Sequence, residues 1–485
     1  MRKTSARTRL SGGSVLTWLA LVLVFALVAA ACGGDADTTT TTADAAETTT
    51  TADAAETTTT ADAAATTTAA AGMEVTAPEI PAATIRFGFY PCCADNNLYQ
   101  IAVEKGWYDE VGITLDPADG HLYTLFDQIV PSMQRADFDV SGMFIQGYLQ
   151  TLDSFGMDIP PIWFNDIYVG YAILKAPGSE AKTTDDFVAE GMPIGEAMAA
   201  AVAQLEGAEV YTPPHGQVQP PYPDVFMSYA GLSYPDSLNL QFLEDNSIIA
   251  VATQEGRIEF AIPYAAPVTV QMLREGWEPV INTVQVLSDV GSEQAARMTT
   301  LVGSSGLIAQ RDWVENNRET ALRFLSVGFR MLDYLGDSAT QLDGWTIQAN
   351  QINATQGLNL IPEDIGVIWD SIDPPFPWEE QGPQLWDDPN APFHVRTSLE
   401  TQIGSLIENG TLTGPMENYN LDEFLLAETL YRELADLQAQ ADGLFGDVEG
   451  MELSASQQEV VDQAQVFYDN FNFLDAVRFL EAATG

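Results

Sequence analysis

Residues Tyr90 to Asn97, in the order Tyr-Pro-Cys-Cys-Ala-Asp-Asn-Asn, bring a phenol, two thiols, a carboxylate and two amides into one short stretch. That mixture suits the orientation of a polar heterocycle, because an aromatic face stacks on the ring while carboxylate and amide groups meet its polar edge. Tyr90 is read as a ligand contact. Asp95 and Asn96 carry two readings, as ligand contacts or as caps whose oxygens accept from the first turn of a following helix. The adjacent pair Cys92 and Cys93 is read as a vicinal disulfide, a rigid apolar platform for a ligand, since thiols outside the cytoplasm tend to oxidise. Two buried reduced thiols are the other reading. His121, His215 and His394 are scattered, and no metal site is expected.

Further along, Trp163, Phe164, Asn165 and Tyr168 form a dense aromatic cluster, with Trp163 and Asn165 as candidate contacts. Aromatic walls attract flat or cationic ligands through stacking and cation–π forces, though such clusters also fill cores. His215, Gln217, Tyr222 and Tyr264 are the candidates in the second half, and Asp224 is read as a helix cap. The sequence holds no convincing Ser-His-Asp order, no HExxH spacing and no phosphate-binding Gly-rich loop. Beyond the N-terminal segment the lysines are Lys105, Lys175 and Lys182, which gives poor support for an obligate Schiff base. No catalytic residue and no cofactor are therefore expected.

The elements that must position these residues follow from periodicity. Thr84 to Tyr90 reads as a strand, Leu98 to Val111 as a helix that Gly112 stops, and Ile113 to Leu115 as a second strand. A helix over 123–135 and a strand over 138–142 complete a β-α-β-α-β alternation, which predicts a parallel sheet covered by helices. Tyr168 to Lys175 and Leu301 to Gln310 are read as the strands by which the chain leaves a first lobe and returns to it. Between them, 209–211, 222–230, 238–243, 247–255 and 259–262 are expected to build a second lobe. Trp313 to Leu335 is an amphipathic helix, and 428–440 and 457–482 are helical. In such sheets ligands sit beyond the carboxyl ends of the strands, so the loops there are the places for a site.

AVEKGWYDEVGITL, AQLEGAEVYTPPHGQ, IIAVATQEGRIEFAIPYAAPV and GLIAQRDWVENNRETALRFLSVGF occur in this order. Their succession from Thr84 to Leu335 resembles the solute-binding proteins of the nitrate, sulfonate, taurine and thiamine-precursor importers. The resemblance implies a two-lobed type II periplasmic-binding fold of class α/β, each lobe a mostly parallel sheet flanked by helices, with a helical C-terminal extension. It implies a small-molecule ligand, delivery to the permease of an ABC importer, and a monomer. It also places Met143, Phe144 and Gln146 in a loop facing the cleft, which makes Phe144 and Gln146 candidate contacts. His215-Gly216-Gln217 stands where many relatives carry Gly-Ser or Gly-Thr to bind an oxyanion at a helix N-terminus. An aromatic, neutral or cationic metabolite is therefore expected, with a sulfonate or nitrate as the alternative. Of another class, a ligand sensor or a thiamine-pyrimidine-forming enzyme shares related folds.

Four basic residues, an apolar run from Val15 and the small residues before Cys32 read as a secretory signal over 1–31. Ala29 to Cys32 resembles a lipobox, which makes Cys32 a lipid anchor and places the protein outside the cytoplasm at the cell membrane. TTTTADAAE then recurs at a nine-residue period, and 32–72 is expected to be a disordered tether. The expected division is lobe 1 over 73–175, lobe 2 over 176–300, the return to lobe 1 over 301–400 and the helical extension over 401–485. A formal net charge of −50 disfavours nucleic acid and anionic lipid as partners.

Overall fold

Strand β1 (Ala83–Phe89) is rich in β-branched and aromatic residues, and Ile85, Phe87 and Phe89 are fully buried. The helix expected to follow divides into Tyr99–Lys105 and Trp107–Glu110. Gly106 between them has a φ of 71°, a left-handed conformation open to glycine. The chain continues through β2 (Ile113–Asp116), β3 (Leu122–Tyr123), the helix Ile129–Gln134, β4 (Val140–Phe144) and β5 (Pro161–Tyr168). The computed structural model describes residues 74–90, 93–117, 122–124, 126–213, 222–243 and 258–485. The signal and tether with Cys32, as well as Cys92, His121, His215, Gln217 and the element expected at 247–255, lie outside the described residues.

The strand expected over 168–175 requires correction, because the run is cut between β5 and β6 (Ala172–Lys175). Trp163, Phe164, Asn165 and Tyr168 lie in β5, which is buried along its whole length. A strand buried on both faces has no polar alternation, and periodicity alone does not reveal it. Gly170 sits in the crossover, where a Cβ would lie 2.3 Å from Ile372 Cγ2. Beyond it come β7 (Glu209–Thr212), β8 (Asn239–Phe242), β9 (Phe260–Ala261), β10 (Glu278–Asn282) and β11 (Gly303–Ala309). Strand β10 and the helices Ala266–Arg274, Thr283–Ser288 and Glu293–Leu301 were not legible in the sequence.

Two sheets result. The first runs β2-β1-β4-β11-β5 with β3 also on β1, and the second runs β10-β6-β9-β7-β8. In the first sheet β11 is antiparallel to β4 and β5, while β1 is parallel to β2, β3 and β4. In the second, β6 is antiparallel to β9 and β10, and β7 is parallel to β8 and β9. Each sheet is thus mostly parallel with one reversed strand, an α/β architecture with helices beside both sheets. The carboxyl ends of β1, β4 and β5 share one edge of the first sheet, and those of β7, β8, β9 and β10 share one edge of the second. Residues 169–171 join these two edges.

The return strand fits tightly. A Cβ on Gly306 would stand 2.0 Å from the backbone oxygen of Trp163, and backbone cannot rotate aside. Gly306→Ala is expected to cost about 1–3 kcal/mol through overpacking, read as a lowered midpoint in urea with an unchanged slope.

The free edge of β5 is covered by a later segment. Ile167 N donates to Pro374 O at 3.1 Å, Val169 N to Ile372 O at 2.8 Å, and Phe376 N to Asn165 O at 2.8 Å. Upstream, the helix Pro362–Val367 is tied to the helix Ala266–Arg274 by the Arg274–Asp364 ion pair. Asn359 N also donates to Gln271 Oε1 at 3.0 Å. The strap 359–376 therefore touches both the β5 edge of the first sheet and the helix Ala266–Arg274.

The helix expected over 313–335 divides at Asn317, and Arg318–Gly336 buries most of its length. The C-terminal region is helical as expected, over Leu426–Glu449, Ala455–Asp469 and Phe473–Thr484. The last two helices part at Phe471, whose φ is 64°. These helices enclose a small core of their own against which Val75, Ala77 and Ile80 pack.

Candidate functional site

The carboxyl end of β5 carries an unusual pair of residues for a buried strand. Asp166 is completely buried and Tyr168 nearly so. Both point to one face, since strand side chains alternate. The bridge between Asp166 and Pro375 sets the register of the strap against β5. Asp373 therefore stands across from Tyr168 and diagonal to Asp166, a separation of about 7–8 Å between backbones. Asp373 is also buried, at 2% exposure.

Asp166 has neutral donors only. Asn165 Nδ2 donates to its Oδ2 at 2.8 Å, and Ser305 stands opposite it on β11. Its Oδ1 is buried with no hydrogen-bond partner among the described residues, as is Asn165 Oδ1. Asp95 lies in the first turn of the short helix Ala94–Asn97, behind Cys93 at the N-cap position. It is not the cap residue, and the charges of Asp95, Asp166 and Asp373 act on one another. Asn97 Nδ2 donates to Cys93 O at 2.7 Å, leaving the buried Asn97 Oδ1 without a partner. Cys93 is disulfide-bonded.

Tyrosines gather beside these acids. Tyr168 donates its hydroxyl to Tyr264 O at 3.1 Å, and its ring stands edge-on to Tyr171 at 4.5 Å. Tyr171 stacks on Tyr222 at 3.9 Å, and Tyr222 meets Tyr264 edge-on at 5.6 Å. Phe144, at the end of β4, approaches Tyr168 at 6.4 Å. The group draws on the carboxyl ends of β4, β5 and β9, the crossover 169–171 and the N-terminus of the helix Tyr222–Ser228. The Tyr222 and Tyr234 hydroxyls lie near that of Tyr264.

Burial pushes the carboxyls of Asp166 and Asp373 well above the usual carboxylate range, and the neighbouring charges push them further. Burial likewise raises the Tyr168 phenol, and Asp373 adds to it. A raised carboxyl means that the folded chain holds protons which the unfolded chain, titrating near pH ~4, has released. These two groups therefore favour folding at low pH, and their contribution is lost as pH rises through the shifted range. The melting temperature of the unliganded chain is expected to fall between about pH 5 and 8 by more than that of an Asp166→Asn/Asp373→Asn double variant, as followed by circular dichroism.

Other sequence candidates fall elsewhere. Trp163 is 2% exposed and edge-on to Phe329 at 5.4 Å, which makes it core filling beneath the helix Arg318–Gly336. Gln146 Nε2 donates to Leu301 O at 2.6 Å, and Gln146 lines a crevice with Ile167 and Ser304 on the sheet face away from the acids. Tyr90 is partly buried against the main core. Asn96 lies within the Ala94–Asn97 helix. Asp166, Asp373 and Tyr171 were missed, though a charge inside the apolar run PIWFNDIY was a usable signal for Asp166. Asp224 is not a cap but pairs with Arg297 at 2.8 Å.

Positive charge is committed outside the cluster. Among the described residues every lysine is ion-paired, to Asp343, Glu278 or Glu190. Every described arginine but Arg311 is likewise paired to a carboxylate other than Asp166 or Asp373. Arg311 donates to Glu423 O. Among the described residues no group of three or more His, Cys, Asp or Glu side chains is placed to hold a metal ion. No described helix is long and apolar enough to cross a membrane.

No family model matches the chain, and no curated protein matches it. Among solved structures it is similar to the periplasmic aliphatic sulphonate binding protein SsuA from Escherichia coli, at 14% identity over 72% of this chain and 99% of that one, with a TM-score of 0.45. It is similar to the periplasmic nitrate-binding protein NrtA from Synechocystis PCC 6803, at 16% identity over 74% of this chain and 89% of that one, with a TM-score of 0.47. It is also similar to the desulfurization enzyme DSZB, at 14% identity over 72% and 99% of the two chains, with a TM-score of 0.44. At these identities the likeness is one of fold.

Proposed function

We propose that this chain is an exported, lipid-anchored solute-binding protein that captures a small organic cation between two lobes and delivers it to an ABC-importer permease. One observation carries the ligand class: Asp166 and Asp373 are buried beside a tyrosine cluster, with no positive side chain paired to either among the described residues. A buried carboxylate without a counter-charge is unfavourable, and a cationic guest supplies that charge while tyrosine faces attract it. A sulfonate or nitrate would instead meet repulsion. The lobes are 73–175 with 301–400 and 176–300, and the tether 32–72 links them to a lipid on Cys32. Capture works by closure about the crossovers, the ligand selecting the closed population through its greater affinity for it.

The test is a thermal-shift screen of metabolites on the full chain, since a ligand that binds only the native state raises Tm. Small amines and other organic cations are expected to raise it, and sulfonates and nitrate to leave it unchanged. Stabilisation by the anions and not by the cations would overturn the reading.

A further inference from the structure

Two sheets that swing apart must let go wherever one segment reaches both. The strap 359–376 is such a segment, and its two attachments are unequal. Towards the first sheet it is bonded along β5 at Asn165, Ile167 and Val169. Trp369 Nε1 donates to Gln348 Oε1 at 2.8 Å, with both side chains buried. Asn353 donates to Leu360 O at 2.9 Å and accepts from Leu360 N at 2.7 Å. Gln348 and Asn353 belong to the helix Gln341–Gln356, which the Lys105–Asp343 ion pair fastens to Tyr99–Lys105 beside β1.

Towards the second sheet the polar grip is smaller. Arg274 pairs with Asp364 and donates from Nη2 to Asn359 O at 2.5 Å, while Gln271 Oε1 accepts from Asn359 N at 3.0 Å. The Asp364 side chain is 6% exposed and that of Arg274 is 30% exposed, so the guanidinium already reaches water. Its planar fork holds carboxylate and carbonyl together and releases them together. Against a backbone ladder and buried side-chain bonds, this is the attachment that yields first.

The grip also has leverage. The helix Ala266–Arg274 begins two residues after Tyr264, and its nine residues span about 13 Å, which puts Arg274 at the end far from the tyrosines. The strap's other end lies on the crossover, where Val169 N donates to Ile372 O and Gly170 packs against Ile372. A bend in residues 169–171 therefore displaces the strap along that helix.

Resting on the two-lobe closure reading above, we infer that Arg274, with Asp364, Asn359 and Gln271, is a latch between the lobes. It holds the arrangement in which Tyr168 of the first sheet meets Tyr264 of the second, and it parts when they separate. One ion pair and two hydrogen bonds are little against a whole fold but matter to the balance of two lobe arrangements. The latch thus sets the differential affinity that a guest must supply.

Pulsed dipolar spectroscopy of the full chain tests this. Spin labels on non-natural side chains replace the exposed Glu104, on the helix Tyr99–Lys105, and the exposed Val188, on the helix Thr184–Ala189 beside the second sheet, so that the cysteines stay untouched. Arg274→Met and Asp364→Asn are each expected to raise the population at a second distance several-fold, with far-ultraviolet dichroism unchanged. Gln271→Ala, which leaves no charge unpaired, is expected to shift it in the same direction by less, and Arg274→Lys least of all. A wild type already divided between two distances, in a ratio that no variant alters, would remove the latch and leave closure standing. One distance throughout, in the wild type and in every variant, would remove the lobe movement and both readings with it.

Discussion

Asp373→Asn is expected to cut ligand-induced stabilisation sharply and, at the same time, to make the unliganded chain more stable at pH 8. The two effects share one cause. Asp373 is buried, its carboxylate has no hydrogen-bond or ionic partner among the described residues, and the Asp95 charge adds to the cost of ionising it. Asparagine keeps the shape and removes the charge, so the empty site is relieved of about 1–3 kcal/mol. The guest loses its counter-ion, and truncating one side of a desolvated charge pair costs about 2–5 kcal/mol of binding, or roughly 30-fold or more. At pH 5 the stability gain is expected to shrink, because burial raises the wild-type carboxyl and less of it is ionised there than at pH 8. Thermal melts at the two pH values, with and without a saturating amine, check both halves. A variant that lost stability at pH 8 would show that Asp373 supports the fold and does not wait for a guest.

Arg323→Met is expected to have the largest effect on stability, and it concerns the helical extension. Arg323 lies in the middle of the helix Arg318–Gly336 and is 2% exposed, and Asp475 in the first turn of Phe473–Thr484 is 1% exposed. The guanidinium holds the carboxylate through two bonds of 2.8 Å, and Asn472 Nδ2 adds a third at 2.7 Å. Here, in contrast with the cleft, a buried acid is fully answered. Removing the arginine leaves Asp475 only Asn472 and the more distant, partly exposed Arg478 at 3.6 Å, and is expected to cost about 3–5 kcal/mol. Arg323→Met/Asp475→Leu is expected to recover most of that loss, because a buried ion pair exchanged for apolar side chains of similar volume is often near neutral. Urea unfolding of the single and double variants measures both. A single variant as stable as the wild type would mean that the extension docks through its apolar contacts alone.

These two acids illustrate how much was legible beforehand. Capped and amphipathic helices such as Arg318–Gly336 and the β-branched run of β1 declare themselves, because one buried face imposes a period on neighbouring residues. Helix interruptions at Gly106, Asn317 and Phe471 were not read, since one residue's backbone conformation hardly disturbs a longer pattern. Strand β5 was missed for the opposite reason, a burial on both faces that erases the pattern altogether. Of the candidate contacts, Asp95, Tyr222 and Tyr264 fall in the cluster, and Asn165 and Phe144 border it. Trp163 and Gln146 are occupied elsewhere.

The sequence by itself determined the succession of strands and helices, the acidic character of the chain and the neighbourhoods in which aromatic and polar groups are dense, because each of these is a local property of composition and period. Only the tertiary structure decided that Asp373, more than two hundred residues beyond Asp166, shares its burial and, among the described residues, its lack of a counter-charge. The energy of a charge depends on which distant segments exclude water from it and which fail to bring a partner. No stretch of neighbouring residues encodes that.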